Sequence, residues 1–151
     1  MKTLLFAGLA LSAIIITGCA TDQAPRTASG AMTSNDDVIT EKYWKRVELN
    51  GHPVTPGPND TYITLKLDGQ RVIGSGGCNR LAGTYTLGAM NRLRFSQIVS
   101  TEMACMEGME TETQFLNVLT SVDSYDVKGD RLVLNKARMA PLARFEAVYM
   151  H

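Results

Sequence analysis

The chain has 151 residues, and its 15 basic and 15 acidic side chains give a formal net charge of zero. This balance does not favour nucleic-acid binding, because attraction to the phosphate backbone needs an excess of Lys and Arg. The two histidines and three cysteines form no closely spaced pairs of the kind that zinc sites use. The composition therefore predicts one small domain with no metal, no cofactor and no nucleic-acid partner.

The first residues have the layout of a secretory signal peptide. Lys2 provides a positive start, and an almost unbroken apolar run extends from Leu4 to Ile16. This run is too short to span a bilayer, which takes roughly 17–25 residues. The ending Ile16-Thr17-Gly18-Cys19 resembles the bacterial lipobox, in which the cysteine is lipidated and becomes the new N-terminus.

The lipobox resemblance implies a signal peptide at residues 1–18 and a lipid anchor, with palmitate among its acyl chains, on Cys19. The membrane is then a partner through this lipid, and the protein lies in the cell envelope. Because Ala20 rather than Asp follows the cysteine, the outer membrane facing the periplasm is expected. The alternative is an ordinary secreted protein that is cut after Gly18 and keeps Cys19 as a free thiol.

Residues 19–40 comprise the lipidated cysteine and a segment rich in small and polar residues with no apolar period, which predicts a flexible tether. The patterned part of the chain, residues 41–151, is the predicted domain. Short apolar or alternating runs between turn residues predict strands within it. These runs lie at 43–49, 61–67, 70–74, 83–87, 92–98, 125–127, 132–134 and 143–149.

One segment has helical rather than strand periodicity. Phe115, Leu116, Leu119 and Val122 recur at helical spacing and predict a helix over Glu107–Val122. Many short strands joined by hairpins, together with one helix, predict a mostly antiparallel α+β domain.

Cys78 and Cys105 are an even pair in a compartment that permits disulfides. A disulfide between them is the favoured interpretation, and two separate thiols or a metal site remain open. Met103, Met106 and Met109 flank Cys105, and core filling or an adaptable apolar surface explains them more simply than soft-metal binding.

The central stretch Gly74-Ser75-Gly76-Gly77-Cys78-Asn79-Arg80-Leu81-Ala82-Gly83-Thr84-Tyr85 resembles the GxxGCNxxxGxY signature of the META domain, or HslJ-like, family. Trp44, the Ser100–Cys105 segment and the helix with Glu112, Phe115 and Leu116 agree with the family in order. Glu102 departs from it, since many members have a basic residue there, and Met106 replaces a frequent proline.

The resemblance implies an antiparallel sheet curled around one main helix, and a lipoprotein sometimes linked to heat shock or novobiocin resistance. It implies no catalytic residues, and neither Ser75 nor Ser100 has plausible His and Asp partners in the sequence. Gly77, Asn79 and Arg80 form a candidate ligand or structural loop, in which Arg80 is expected to pair with an acid of the helix.

The sequence thus predicts a non-enzymatic binding or stress-associated envelope module whose protein partner it does not identify. The alternative is a thiol-dependent or ligand-processing activity at the Cys78-Asn79-Arg80 loop, which requires Cys78 to be a free thiol.

Overall fold

The computed structural model describes residues 38–55, 59–137 and 140–149. The predicted signal peptide, Cys19 and the tether up to residue 37 lie outside the described residues. Ile39 and Thr40, which the sequence assigned to the tether, are buried, and Trp44 Nε1 donates a 2.7 Å hydrogen bond to the Ile39 carbonyl. The hydrophobic core therefore includes Ile39, and Thr40 is buried beside it in the chain.

The described chain is mostly β. Strands take up 51% of the described residues and helical segments 15%. The elements are β1 (Tyr43–Leu49), β2 (His52–Pro53), β3 (Tyr62–Lys66), β4 (Arg71–Ser75), β5 (Arg80–Gly88), β6 (Arg92–Ser100), α1 (Met109–Ser121), β7 (Ser124–Lys128), β8 (Arg131–Asn135) and β9 (Pro141–Val148). The predicted α+β class is therefore wrong, because one 13-residue helix accompanies a nine-stranded antiparallel sheet.

The sheet closes on itself. Each strand from β3 to β8 pairs with the next along the chain, and β9 pairs back with β1. The short β2 shares one edge of β1 with β3, after an Asn50-Gly51 turn in which both residues have positive φ. β6 and β7 have one residue pair in register, Arg92 with Ser124, and backbone hydrogen bonds join Leu93 to Asp123 and Tyr125 to Asn91 beside it. The helix α1 lies between these strands in the chain and contacts β6.

The core lies inside the closed sheet and against one face of α1. Strand alternation turns Trp44 of β1 and Ile63 and Leu65 of β3 inward, as their spacing predicted. From the helix, Phe115 and Leu119 are fully buried, and the Phe115 ring packs 6.2 Å from that of Phe145 on β9. The helix thus contributes one apolar face to a core that strands otherwise supply.

Longer strands than predicted explain the difference in class. β5 begins at Arg80 rather than Gly83, because the residues before Gly83 pair with β4, as far as Arg80 with Ser75. His52 and Pro53, which lie outside the predicted strands, pair with Leu49 and Glu48. Proline is disfavoured in strands, so pairing with β1 rather than local propensity decides the conformation of this segment.

Candidate functional site

The predicted disulfide between Cys78 and Cys105 is present, with Cα atoms 5.9 Å apart. It joins the loop that follows β4 to the segment that leads into α1. Because the bridge occupies both sulfur atoms, Cys78 has no free thiol. Cys78, the residue at which thiol chemistry was predicted, therefore forms a covalent link between two segments of the chain.

A buried carboxylate on α1 organises the same loop. Glu112 is 5% exposed, and its Oε2 accepts hydrogen bonds from the backbone N–H groups of Cys78, at 3.2 Å, and Asn79, at 2.6 Å. Its Oε1 accepts a third, at 2.8 Å, from Asn79 Nδ2. Burying a charge is costly unless such donors compensate it. We call these three residues the Glu112 cluster.

Asn79 extends the Glu112 cluster toward the end of β6. Its Oδ1 accepts hydrogen bonds from Thr101 Oγ1, at 2.8 Å, and from the backbone N–H of Met103, at 2.7 Å. Nδ2 also donates to the Met103 carbonyl at 3.2 Å. The side-chain amide is thus fully engaged within the protein, and it serves structure rather than a ligand.

Glycine is required beside this carboxylate. A Cβ atom at Gly76 would lie 2.4 Å from Glu112 Cγ, a separation that real Cβ atoms essentially never show. Gly77 has a φ of 109°, which side chains rarely adopt. Gly76 therefore lets α1 approach the loop closely, and Gly77 allows the positive φ of the loop.

Arg80 does not make the predicted ion pair. Its side chain is exposed, its backbone N–H donates to Thr101 Oγ1, and it takes part in none of the ion pairs among the described residues. The helix acid binds Asn79 and the loop backbone instead. Glu112 was missed as a site residue, although it precedes Phe115 by three positions and so shares the buried helix face.

A cavity of about 720 Å³ lies beside the disulfide. It forms where the chain leaves β1 for β2 and the loop before β3, opposite the start of α1. Its lining comes from four segments of the chain, residues 45–47, 54–55 with 59–61, 76–77, and 105–108 with 111. Gly77 and Cys105 thus border the cavity, whereas Asn79 and Arg80 lie away from it.

Arg46 is the most unusual side chain in the cavity wall. It lies on the inner face of β1, two residues after Trp44, and is only 3% exposed. Nη2 donates a 3.3 Å hydrogen bond to Thr61 Oγ1, which in turn donates to the Gly76 carbonyl. Nε and Nη1 have no hydrogen-bond partner in the described structure. Burial lowers the pKa of Arg46 to about 10, so the guanidinium remains charged at neutral pH.

The guanidinium of Arg46 stacks on the core. Its central carbon lies 4.9 Å from the centroid of the Phe115 ring, a cation–π contact. Sequence reasoning missed Arg46 because a single charged residue in a strand is normally solvated. Its position two residues after Trp44 is the signal that could have found it, since residues two apart in a strand share a face.

The rest of the cavity wall combines paired charges with apolar surface. Lys45 Nζ and Asp60 Oδ1 form an ion pair at 2.7 Å. Gly108, with a φ of 88°, begins α1 without a side-chain cap. Met106 on this wall is fully exposed, and Met103 and Met109 are exposed as well, so these methionines form apolar surface rather than core.

Two further features of the described residues bear on function. No three or more His, Cys, Asp or Glu side chains are grouped so that they could hold a metal ion. No helix in the described part of the chain has the length and apolar character needed to cross a membrane.

The same fold occurs in solved structures. A protein from Burkholderia xenovorans, determined by NMR, matches with a TM-score of 0.60 and 25% identity, over 74% of this chain and 85% of that one. A second NMR structure matches with a TM-score of 0.58 and 22% identity, over 72% of this chain and 90% of the other. A crystal structure of a DUF4847 family protein from Bacteroides vulgatus has a TM-score of 0.54 and 15% identity, over 76% and 97% of the two chains.

No curated protein sequence matches the chain significantly. The profile of the META domain family, in contrast, matches residues 37–149. This match covers all nine strands and the helix, together with the Gly-Cys-Asn loop and the Glu112 cluster. The chain therefore belongs to the META domain family.

Proposed function

We propose that this META domain protein is a non-enzymatic binding module, held at the cell envelope by lipid on Cys19, that takes a small ligand in the cavity beside Arg46. The observation that carries the proposal is the cavity of about 720 Å³, which has the buried residue Arg46 in its wall.

The size and lining of the cavity support ligand binding. Small-molecule sites typically occupy about 300–1,000 Å³ and combine apolar walls with a few polar groups. Here Val47, Val54 and Met106 provide apolar surface, and Arg46 and Thr61 provide the polar groups. The arrangement suits a ligand that is fixed at one end and packed at the other.

The roles of the motif residues support a binding module over an enzyme. Cys78 is in a disulfide, and the Asn79 amide is taken up by Glu112, Thr101 and Met103. Both therefore shape the cavity wall from behind it. The alternative of thiol-dependent chemistry at this loop loses its nucleophile in the disulfide-bonded state.

The envelope location rests on the sequence Ile16-Thr17-Gly18-Cys19. Two acyl signals are enough for stable membrane attachment, and lipobox cysteines carry at least a diacylglyceryl group. We include in the same proposal the heat-shock and antibiotic-resistance association implied by family resemblance. Cells in which a cavity-filling variant replaces the protein should then show the same heat and novobiocin sensitivity as cells that lack the protein.

Filling the cavity tests the proposal. Thr111 lines the cavity from an exposed position on α1, so Thr111→Trp fills space without disturbing the core. Thr113→Trp, exposed on the same helix outside the cavity, is the matched control. In a ¹⁹F-NMR screen of small fragments against the purified full chain, we expect hits that Thr111→Trp abolishes and Thr113→Trp retains. Hits that survive both changes, or the absence of hits, would contradict the proposal.

A further inference from the structure

We infer that the domain docks on the bilayer with one end of its closed sheet, the end at which the chain arrives from Cys19, and that exposed apolar side chains there enter the lipid interface. This inference rests on the proposed lipid anchor and adds the surface that faces the membrane. Its basis is the distribution of exposed apolar and acidic side chains between the two ends of the sheet.

The strand registers bring the start of the described chain, the β3–β4 turn and the end of β9 together. Lys66 at the end of β3 pairs with Arg71 at the start of β4, and the backbone N–H of Glu41 donates to the Leu65 carbonyl beside them. β9 ends at the same place, because Val148 pairs with Tyr43 at the start of β1.

Two further turns reach this end of the sheet. Arg71 pairs with Thr84, so β5 continues beyond the start of β4 before it turns into β6. Lys42 Nζ donates to the carbonyl of Gly129 in the β7–β8 turn. We call this end, which comprises residues 38–42, 67–70, 87–91, 128–130 and 148–149, the tether end.

Exposed apolar side chains from all but the β7–β8 turn meet at the tether end. They are Val38, Leu67, Leu87, Met90, Val148 and Tyr149. Leu67 is 66% exposed and Met90 is 77% exposed, and both lie beside or within turns that connect strands. Large exposed apolar residues grouped in this way are typical of surfaces that bind a partner or a membrane, and tyrosine suits the membrane–water interface.

The acids of the tether end do not oppose binding to an anionic lipid surface. Each of them forms an ion pair with a base, namely Glu41 with Lys66, Asp68 with Arg71 and Asp130 with Lys42. Lys128 in the β7–β8 segment adds an exposed base. Bilayers that contain phosphatidylglycerol attract bases and repel acids that have no counter-charge.

The opposite end of the sheet has the reverse character. The cavity lies there, because its lining residues 59–61 and 76–77 flank the pair of Tyr62 with Ser75. Residues 101–111 at this end contain three exposed acids and no Lys or Arg, and none of these acids takes part in an ion pair among the described residues. The exposed methionines of the same segment are therefore surrounded by charge that anionic lipid repels. Of the two apolar ends, the tether end fits the bilayer.

The anchor acts on the same end. Residues 20–37 separate Cys19 from Val38, and an extended chain spans at most about 3.3–3.6 Å per residue, so Val38 stays within about 65 Å of the lipid. This attachment gives the tether end a high local concentration at the membrane, and weak apolar contacts then suffice for docking. The cavity is held on the side of the domain away from the bilayer, open to soluble ligands.

A tryptophan placed at either end tests the inference. Trp44 is the only tryptophan in the sequence and is fully buried, so it gives the same background in every variant. Leu67→Trp places a probe at the tether end, and Met106→Trp places a matched, exposed probe at the cavity end. The lipidated protein is reconstituted in vesicles of phosphatidylethanolamine and phosphatidylglycerol with brominated acyl chains, which quench tryptophan on contact. We expect Leu67→Trp to lose about half of its added emission, because interfacial side chains reach the boundary between headgroups and acyl chains, and Met106→Trp to lose none.

A charge introduced at the tether end provides a second measurement. Met90→Glu, added to the Leu67→Trp protein, should lower the quenching because a carboxylate resists entry into lipid. Met103→Glu, at an exposed methionine of the cavity end, should leave the quenching unchanged.

The outcomes separate this inference from the proposed function. Equal quenching of the two probes, quenching of Met106→Trp alone, or no quenching of Leu67→Trp would overturn the docking surface while leaving the anchor and the cavity in place. Flotation of the same vesicles measures the anchor. A protein that does not float with them would overturn the anchor and the docking surface together, whereas the fragment screen measures ligand binding independently of both.

Discussion

Glu112 lies on α1, but its carboxylate binds the loop at Cys78 and Asn79 rather than groups of its own helix. All three of its hydrogen bonds come from Cys78 and Asn79, so the carboxylate fixes the loop backbone and the Asn79 amide at once. Gly76 makes this possible by leaving the space that the side chain occupies. The chemistry of the motif is therefore that of a structural joint at the back of the cavity.

Replacing Glu112 with glutamine tests this joint. Both carboxylate oxygens accept hydrogen bonds, but a glutamine amide has one acceptor and turns its NH₂ group toward a donor. We expect Glu112→Gln to lower the free energy of unfolding by about 1–3 kcal/mol, the cost of leaving a buried donor unsatisfied. Urea denaturation at neutral pH measures the change.

Glu110→Gln provides the control for this prediction. Glu110 is exposed in the first turn of the same helix, and its removal should change stability by no more than about 0.5 kcal/mol. Equal effects of the two substitutions would show that only the helix charge matters.

The helix α1 closes the part of the sheet that strand pairing leaves weakest. β6 and β7 share one residue pair, and α1 contacts β6 while directing Phe115 and Leu119 into the core. Hydrogen bonds between strands hold the rest of the closed sheet. At this junction apolar packing by the helix adds to the few backbone hydrogen bonds that are present.

Truncation of Leu119 tests the packing of α1. The side chain is fully buried, so Leu119→Ala should lower the free energy of unfolding by about 2–5 kcal/mol through lost burial and a residual cavity. Gln114→Ala, on the exposed face of the same helix, should stay within about 0.5 kcal/mol of the parent. A Leu119→Ala variant as stable as the control would mean that the helix contributes little to the core.

The disulfide fixes the segment that leads into α1. Replacing both Cys78 and Cys105 with alanine should lower the free energy of unfolding by about 2–4 kcal/mol. A reducing agent should destabilise the parent by a similar amount and leave the double variant unchanged. Destabilisation of the double variant by the reductant would show that the effect has another origin.

At the scale of the molecule, local patterns predicted the strands better than their assembly. Ile63 and Leu65 identify the buried face of β3, because the alternation of apolar and polar residues is visible within a five-residue segment. The pairing of Tyr43 with Val148 has no local signal, so closure of the sheet and the β class were not predicted.

The candidate site was less predictable than the fold. Cys78, Cys105 and the glycines are readable as a motif, and the disulfide between the cysteines was predicted. The roles of Arg46 and Glu112 depend on which way each charged side chain points. That direction is decided by packing between distant segments, which local periodicity does not record.

Attachment to the membrane is a property of the whole chain. We expect Cys19→Ser to release the protein from membranes and to abolish incorporation of a fatty-acid analogue, because the proposed anchor is attached to this sulfur. Cell fractionation after metabolic labelling measures both. An unlabelled parent that stays in the membrane fraction would contradict the lipid anchor.

The pairing of β1 with β9 also determines when the domain can finish folding. These strands contact each other across about 100 residues of sequence, the kind of long-range pairing that folds slowly. Until residues 141–148 have left the ribosome and crossed the inner membrane, if export follows the proposed route, β1 and β8 each keep one edge without a partner. Unpaired edges recruit strands from other chains. A premature stop just before Pro141 would therefore produce an aggregation-prone chain rather than a slightly shorter domain.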